Sequence, residues 1–173
     1  MDKTTIPVDP VIQSEMDSIA IRRGNILANF AFIEGLMSDF VIRHYLKDEK
    51  LVKTMREDIF EDEFFGYMLK FNLFKKVLRK YYPNEAKKFP IEKFRELSKL
   101  RNIIAHASVE IMINEQIKKA MTSILFSHNG EYTDAQEIMD KYDKLKDELQ
   151  PSLQDLASNL KLFQTTINND FTK

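Results

Sequence analysis

The chain contains no cysteine, which removes disulfide staples, thiolate zinc sites, iron–sulfur ligation and a cysteine nucleophile from consideration. It has only four glycines and five prolines among 173 residues, too few for a collagen-like or low-complexity chain. Nor is one sign of charge in excess, because 26 Lys and Arg stand against 27 Asp and Glu for a net charge of −1. Any nucleic-acid surface must therefore be local. The opening Met-Asp-Lys-Thr-Thr-Ile-Pro lacks an apolar core of signal-peptide length, and no later stretch is expected to supply the roughly 18 uncharged apolar residues of a membrane span. The expectation is a soluble, cytoplasmic protein with no membrane partner. The sequence also lacks a Gly-rich phosphate loop, a Ser nucleophile elbow and a paired-carboxylate motif, which disfavours nucleotide hydrolysis and ester chemistry. His44 and His128 have no metal-type partners at the usual short spacings, so no metal site and no cofactor are expected.

What is present is a chain that is 43% hydrophobic and 11% aromatic, enough to bury a core. Residues 1–8 carry no periodicity and read as a flexible arm, followed by one helical domain over residues 9–173. Asp9-Pro10 supplies a helix cap and a first-turn proline. Apolar residues then recur at helical spacing from Val11 to Leu46, interrupted only at Arg22-Arg23-Gly24-Asn25, where the chain can break or kink, so that one or two core helices are expected. Residues 48–63 are charged and acidic. Helical spacing returns from Phe64 to Tyr82 and ends at Pro83-Asn84. A further helix opens near Pro90 and runs through Phe94, Leu97, Leu100 and Ile104 to about Ala107.

Between residues 108 and 133 the pattern changes. Asn129-Gly130 between short apolar runs is a strong hairpin signal. Thr133 with Gln136 resembles a capping box opening a helix to about Gln150, and Pro151 can open a last helix through Leu153, Leu156, Leu160 and Phe163. The expected fold is all-α, a helical bundle of about five or six helices with a short β-hairpin inserted before the last two.

The most informative segment is Leu100-Arg101-Asn102-Ile103-Ile104-Ala105-His106-Ala107. At about 100° per residue, Phe94, Leu97, Leu100 and Ile104 define an apolar arc, and Arg101 projects inside it. Its own helix offers no acid three or four residues away, so a partner must come from elsewhere. Glu34, flanked at helical spacing by mostly apolar residues, is one candidate. Asn102 and His106 share a face, so the amide can orient the imidazole. Arg101 and His106 lie about 140° apart on a straight helix, and a second element or a second copy of the chain is needed to join them in one site. A purely structural reading stands beside this one, with Arg101 joining two helices and His106 capping the helix C-terminus.

Arg-Asn-x-x-Ala-His at the end of a helix in a small all-α chain resembles the Arg-x(4–6)-His motif of HEPN domains. That resemblance implies a metal-independent endoribonuclease in which Arg and His from two protomers meet at a dimer cleft. Arg101 and His106 would then be catalytic, with Asn102 at the polar position after the arginine. It also implies RNA as substrate, a homodimer, and a possible role as a toxin or antiviral effector with an antitoxin or other regulatory partner. The alternative is a HEPN-like RNA- or protein-interaction module without turnover.

A second feature is independent of the motif. Residues 70–101 hold 11 Lys and Arg against three Glu. Lys75, Lys76, Arg79, Lys80, Arg95 and Lys99, interleaved with Phe71, Phe74, Tyr81, Tyr82 and Phe89, are candidates for holding phosphates and stacking bases. The competing reading is a buried aromatic face and solvated lysines.

Overall fold

The structure is a computed structural model that describes residues 9–62, 64–112 and 123–170. The arm expected over residues 1–8 lies outside the described residues, as do the side chains of Leu160 and Phe163. The described chain is all-α with one small sheet. In order it forms α1 (Pro10–Tyr45), α2 (Glu49–Met55), a π-helical turn (Arg56–Phe60), α3 (Tyr67–Tyr81), α4 (Pro83–Lys88), α5 (Ile91–His106), β1 (Ser108–Met112), β2 (Ser123–His128), β3 (Glu131–Asp134) and α6 (Ala135–Asp170).

α1 starts where Asp9 accepts the Val11 amide at 2.8 Å, a carboxylate satisfying an otherwise orphaned first-turn donor. The break allowed for at residues 22–25 is absent, since α1 runs unbroken for 36 residues. An interior glycine costs only about 1 kcal/mol, and Arg22 and Arg23 on the preceding turn are tied to other elements. α1 also contains an 18-residue window with a mean hydropathy of 1.3, long and apolar enough to cross a membrane by length and composition alone, a test that the buried core helix of a soluble protein also passes. Ile26, Phe30, Ile33, Met37 and Phe40 of this helix are buried.

Two other boundaries differ. The cap of α6 is Asp134, whose Oδ1 accepts the Glu137 amide at 3.0 Å, rather than Thr133. α6 then passes through Pro151 as one helix of 36 residues, where two helices were expected. Proline lacks the donor that would reach the carbonyl of Asp147, a loss the helix absorbs.

The chain divides into two compact units. One takes the residues up to Ala28 with Glu96–Lys146, the other Asn29–Arg95 with the residues from Asp147 on; α1, α5 and α6 each pass from one to the other. In the first, β1, β2 and β3 form an antiparallel sheet in that order, with Val109 opposite Phe126 and Phe126 opposite Thr133. Asn129 (φ 52°) and Gly130 (φ 81°) make the β2–β3 turn, the left-handed pair that suits the twist of a tight hairpin. Its buried side chains include Leu97, Ile104, Phe126, Met139 and Tyr142.

In the second unit the core is aromatic. Phe40 meets Phe74 at 5.4 Å, Phe74 meets Phe89 at 5.1 Å, and Phe89 stacks on Phe94 at 4.8 Å. Phe71 and Phe74 are fully buried, each contributing about 1.5–3 kcal/mol by leaving water. The acidic stretch after α1 is structured too. Asp48 caps α2 through the amides of Lys50 and Leu51, and Val52 and Phe60 turn inward.

Candidate functional site at the end of helix α5

α5 is helical because its apolar residues fall on one stripe, and Phe94, Leu97, Leu100 and Ile104 are all buried. The helix ends at His106, Ala107 is buried, and the chain turns into β1. The last carbonyls of a helix have no intrahelical donor. Here the guanidinium of Arg23 supplies two N–H groups, donating from Nη2 to the carbonyl of Ala105 at 2.5 Å and from Nη1 to that of Ala107 at 3.2 Å. A cation at this end also opposes the negative pole of the helix. The two bonds bracket His106, so its backbone is held from both sides while its side chain is exposed.

Arg22, beside it, donates to Asp140 at 2.7 Å and Asp143 at 2.6 Å on α6. Tyr142, fully buried, donates its hydroxyl to the carbonyl of Ile26 at 3.4 Å. The N-terminal half of α1 is thus tied to the end of α5 and to the start of α6.

Of the motif residues, Arg101 is half-buried, and Asn102 and His106 are exposed. Arg101 Nη1 donates to Asn102 Oδ1 at 3.1 Å. The amide oxygen expected to orient His106 is therefore engaged by the neighbouring guanidinium. Glu34 is the residue anticipated as a partner for Arg101. Its carboxylate accepts from Lys70 Nζ at 2.6 Å beside a cavity of about 280 Å³. A second pair, Arg56 with Asp39 at 2.6 Å, lines the same cavity. In the second unit α3 brings Lys70 against Glu34 of α1.

The basic candidates separate by environment. Phe71 and Phe74 are core, so neither can receive a base, and Phe89 is half-buried and stacked on Phe94. Lys75 Nζ lies 5.0 Å from the Phe71 ring centroid. Lys76, Arg79 and Lys80 are exposed on the outer face of α3. Arg95 is paired with Glu92 at 2.9 Å, and Lys99 is exposed on α5.

Arg23 is the residue that sequence reasoning missed as part of this site. The signal was available, because Ile19, Arg23, Ile26, Phe30, Ile33 and Met37 follow alternating spacings of four and three. That pattern puts Arg23 on the inward stripe of α1, where a cation requires acceptors. Among the described residues no group of three or more His, Asp and Glu converges in a way that could hold a metal ion. No family model matches the chain, no curated protein matches its sequence, and no solved structure matches its fold.

Proposed function

We propose that the protein is a metal-independent endoribonuclease of the HEPN type, acting as a homodimer with a composite site built from α5. The observation that supports this best is an exposed imidazole, His106, whose backbone is fixed by Arg23, on the same helix end as the Arg101–Asn102 pair. RNA cleavage without a metal needs a base for the 2′-hydroxyl, an acid for the leaving oxygen and a cation for charge on the phosphorane. Histidine suits the first two roles because its ordinary pKa of about 6.5 leaves both protonation states populated near neutrality.

In the proposed reaction one imidazole takes the 2′-hydroxyl proton and the 2′-oxygen attacks phosphorus. The bond from phosphorus to the 5′-oxygen breaks as a second imidazole protonates that oxygen. The products are a 2′,3′-cyclic phosphate and a 5′-hydroxyl. A second copy of the chain supplies the second imidazole, since each chain carries one at this position. Arg101 neutralises the phosphorane and Asn102 holds its guanidinium. A toxin or antiviral effector restrained by a partner protein is the setting in which such an activity would be kept.

The Arg101–Asn102 bond also favours a second reading. The amide oxygen is occupied by a guanidinium N–H of the adjacent residue, as it would be in an interaction module without turnover. Incubating a structured RNA in EDTA, beside one carrying a single 2′-deoxy residue at the mapped cleavage site, separates the two. The nuclease reading expects 2′,3′-cyclic phosphate ends and no cutting at the deoxy position; intact RNA, or cutting indifferent to the 2′-hydroxyl, refutes it.

A further inference from the structure

The end of α1 and the end of α3 meet in a cluster that the motif does not use. Tyr45, the last residue of α1, is 60% exposed, and Tyr81, the last residue of α3, is 43% exposed. Their rings stand nearly perpendicular, 89° apart with centroids separated by 6.4 Å. Both rest on His44, with Tyr81 4.2 Å and Tyr45 4.7 Å from its ring. His44 is fixed from below by Tyr82, whose hydroxyl lies 3.2 Å from Nδ1. Tyr82 in turn packs at 5.2 Å on Phe40, a core residue. The exposed rings are therefore anchored to the interior through two layers of aromatic contact.

The charge around these rings is mainly positive. Lys80 Nζ lies 4.8 Å from the Tyr81 centroid, and its hydrogen bond to the Tyr81 hydroxyl lowers that group's pKa. Burial, with repulsion from Lys47 and Lys80, keeps His44 below its ordinary pKa. Glu85 acts on Tyr82, on the inner layer. Arg79 and Lys76 continue the exposed basic face along α3.

Exposed aromatic surface is costly in water. Two pre-ordered rings with the Lys80 ammonium beside one of them match the alternation of flat bases and phosphates along a single strand. Double-stranded RNA offers its bases edge-on and cannot stack on them. We propose that Tyr45 and Tyr81 form a stacking platform for unpaired bases of single-stranded RNA, with Lys80 holding an adjoining phosphate and His44 positioning the two rings. The choice of RNA over other single strands rests on the ribonuclease reading above; the platform itself rests on this cluster.

The test is binding of a labelled dodecamer of uridine, followed by fluorescence anisotropy with the full chain carrying His106→Ala so that the probe survives. An abasic dodecamer and a duplex of equal length serve as comparisons. Tyr45→Ala and Tyr81→Ala should each weaken uridine binding by about fivefold to 150-fold, the range for loss of one base stack. Tyr81→Phe, which keeps the ring, should change it by less than about twofold. Lys80→Gln should flatten the salt dependence by about 0.7 in log–log slope, and the abasic and duplex probes should bind more weakly than uridine.

Equal affinity for uridine and abasic probes, or tyrosine variants that bind like their parent, overturns the platform. Cleavage that requires His106 but ignores both tyrosines overturns it while sparing the nuclease. Tyrosine-dependent binding without any cleavage does the reverse.

Discussion

Replacing Arg23 by methionine should destabilise the end of α5 more than any other single surface-accessible change near the motif. The substitution keeps the aliphatic stem and removes two charged donors, at 2.5 and 3.2 Å from the carbonyls of Ala105 and Ala107. Hydrogen bonds from a charged donor contribute about 1.5–3 kcal/mol each when buried. These are only part-buried, and water can reach freed carbonyls at a helix end, so we expect about 2 kcal/mol in total, including the helix-dipole contribution of about 0.3–1 kcal/mol. For a chain of this size that is about 4–8 °C in Tm.

Arg22→Met is the internal comparison. Its partners Asp140 and Asp143 are 60% and 37% exposed, and ion pairs so open to solvent contribute about 1 kcal/mol or less. Arg23→Lys, with one donor group instead of a fork, should fall between. Urea denaturation gives the stabilities, and hydrogen exchange reports whether the amides of residues 104–107 open faster in Arg23→Met. If Arg23→Met costs no more than Arg22→Met and exchange there is unchanged, the reasoning that Arg23 fixes the His106 end is wrong.

Three further outcomes are expected. Pro151→Ala should stabilise the protein by about 1–3 kcal/mol in chemical denaturation, because alanine restores a donor inside a continuous helix; a neutral or destabilising result would mean that Pro151 begins a separate helix. Glu34→Gln should cost about 2 kcal/mol, since it leaves the Lys70 ammonium, whose side chain is only 12% exposed, without its carboxylate. The double variant Glu34→Leu/Lys70→Met should be less damaging than Glu34→Gln alone, which a double-mutant cycle checks. His44 has a folded-state pKa below its ordinary 6.5, through burial and then repulsion from Lys47 and Lys80. The unfolded chain therefore binds its proton more readily, and this contribution to stability is complete above about pH 6.5 and declines as pH falls below it. Urea midpoints between pH 7.5 and 5.5 should drop more in the parent than in His44→Gln, and parallel curves would contradict the assignment.

Local signals in the sequence carried much of the fold. Asn129-Gly130 announces the hairpin because only a few residues tolerate the left-handed backbone that its turn needs, and the structure has positive φ at both positions. The stripe Phe94, Leu97, Leu100 and Ile104 announces α5, and all four are buried. Where reading failed, a distant partner had overridden a local preference. Arg22-Arg23-Gly24 looks like a break until Asp140, Asp143 and the carbonyls of Ala105 and Ala107 are seen to hold those arginines. Pro151 looks like a start, yet α6 continues through it, with Leu149 and Leu153 buried on either side.

At the candidate site the same division holds. Arg101, Asn102 and His106 are legible as a group because they punctuate an apolar helix. The Arg101–Asn102 bond is not, since adjacent residues point about 100° apart on a helix and a long guanidinium must fold back to meet its neighbour. Glu34 reads as a candidate partner for Arg101 because it places a charge on a mostly apolar stripe. Lys70, from the same basic segment that reads as a phosphate surface, donates to that carboxylate.

The most direct test of the central claim is RNA cleavage in EDTA by the purified chain beside His106→Ala and Arg101→Ala, each shown to be folded and dimeric. Loss of a positioned acid–base group or of the charge-stabilising cation should lower the rate by about 10²–10⁴-fold. The account predicts cutting by the parent and a loss of that size in both variants; no cutting by the parent, or equal cutting by the variants, would contradict it.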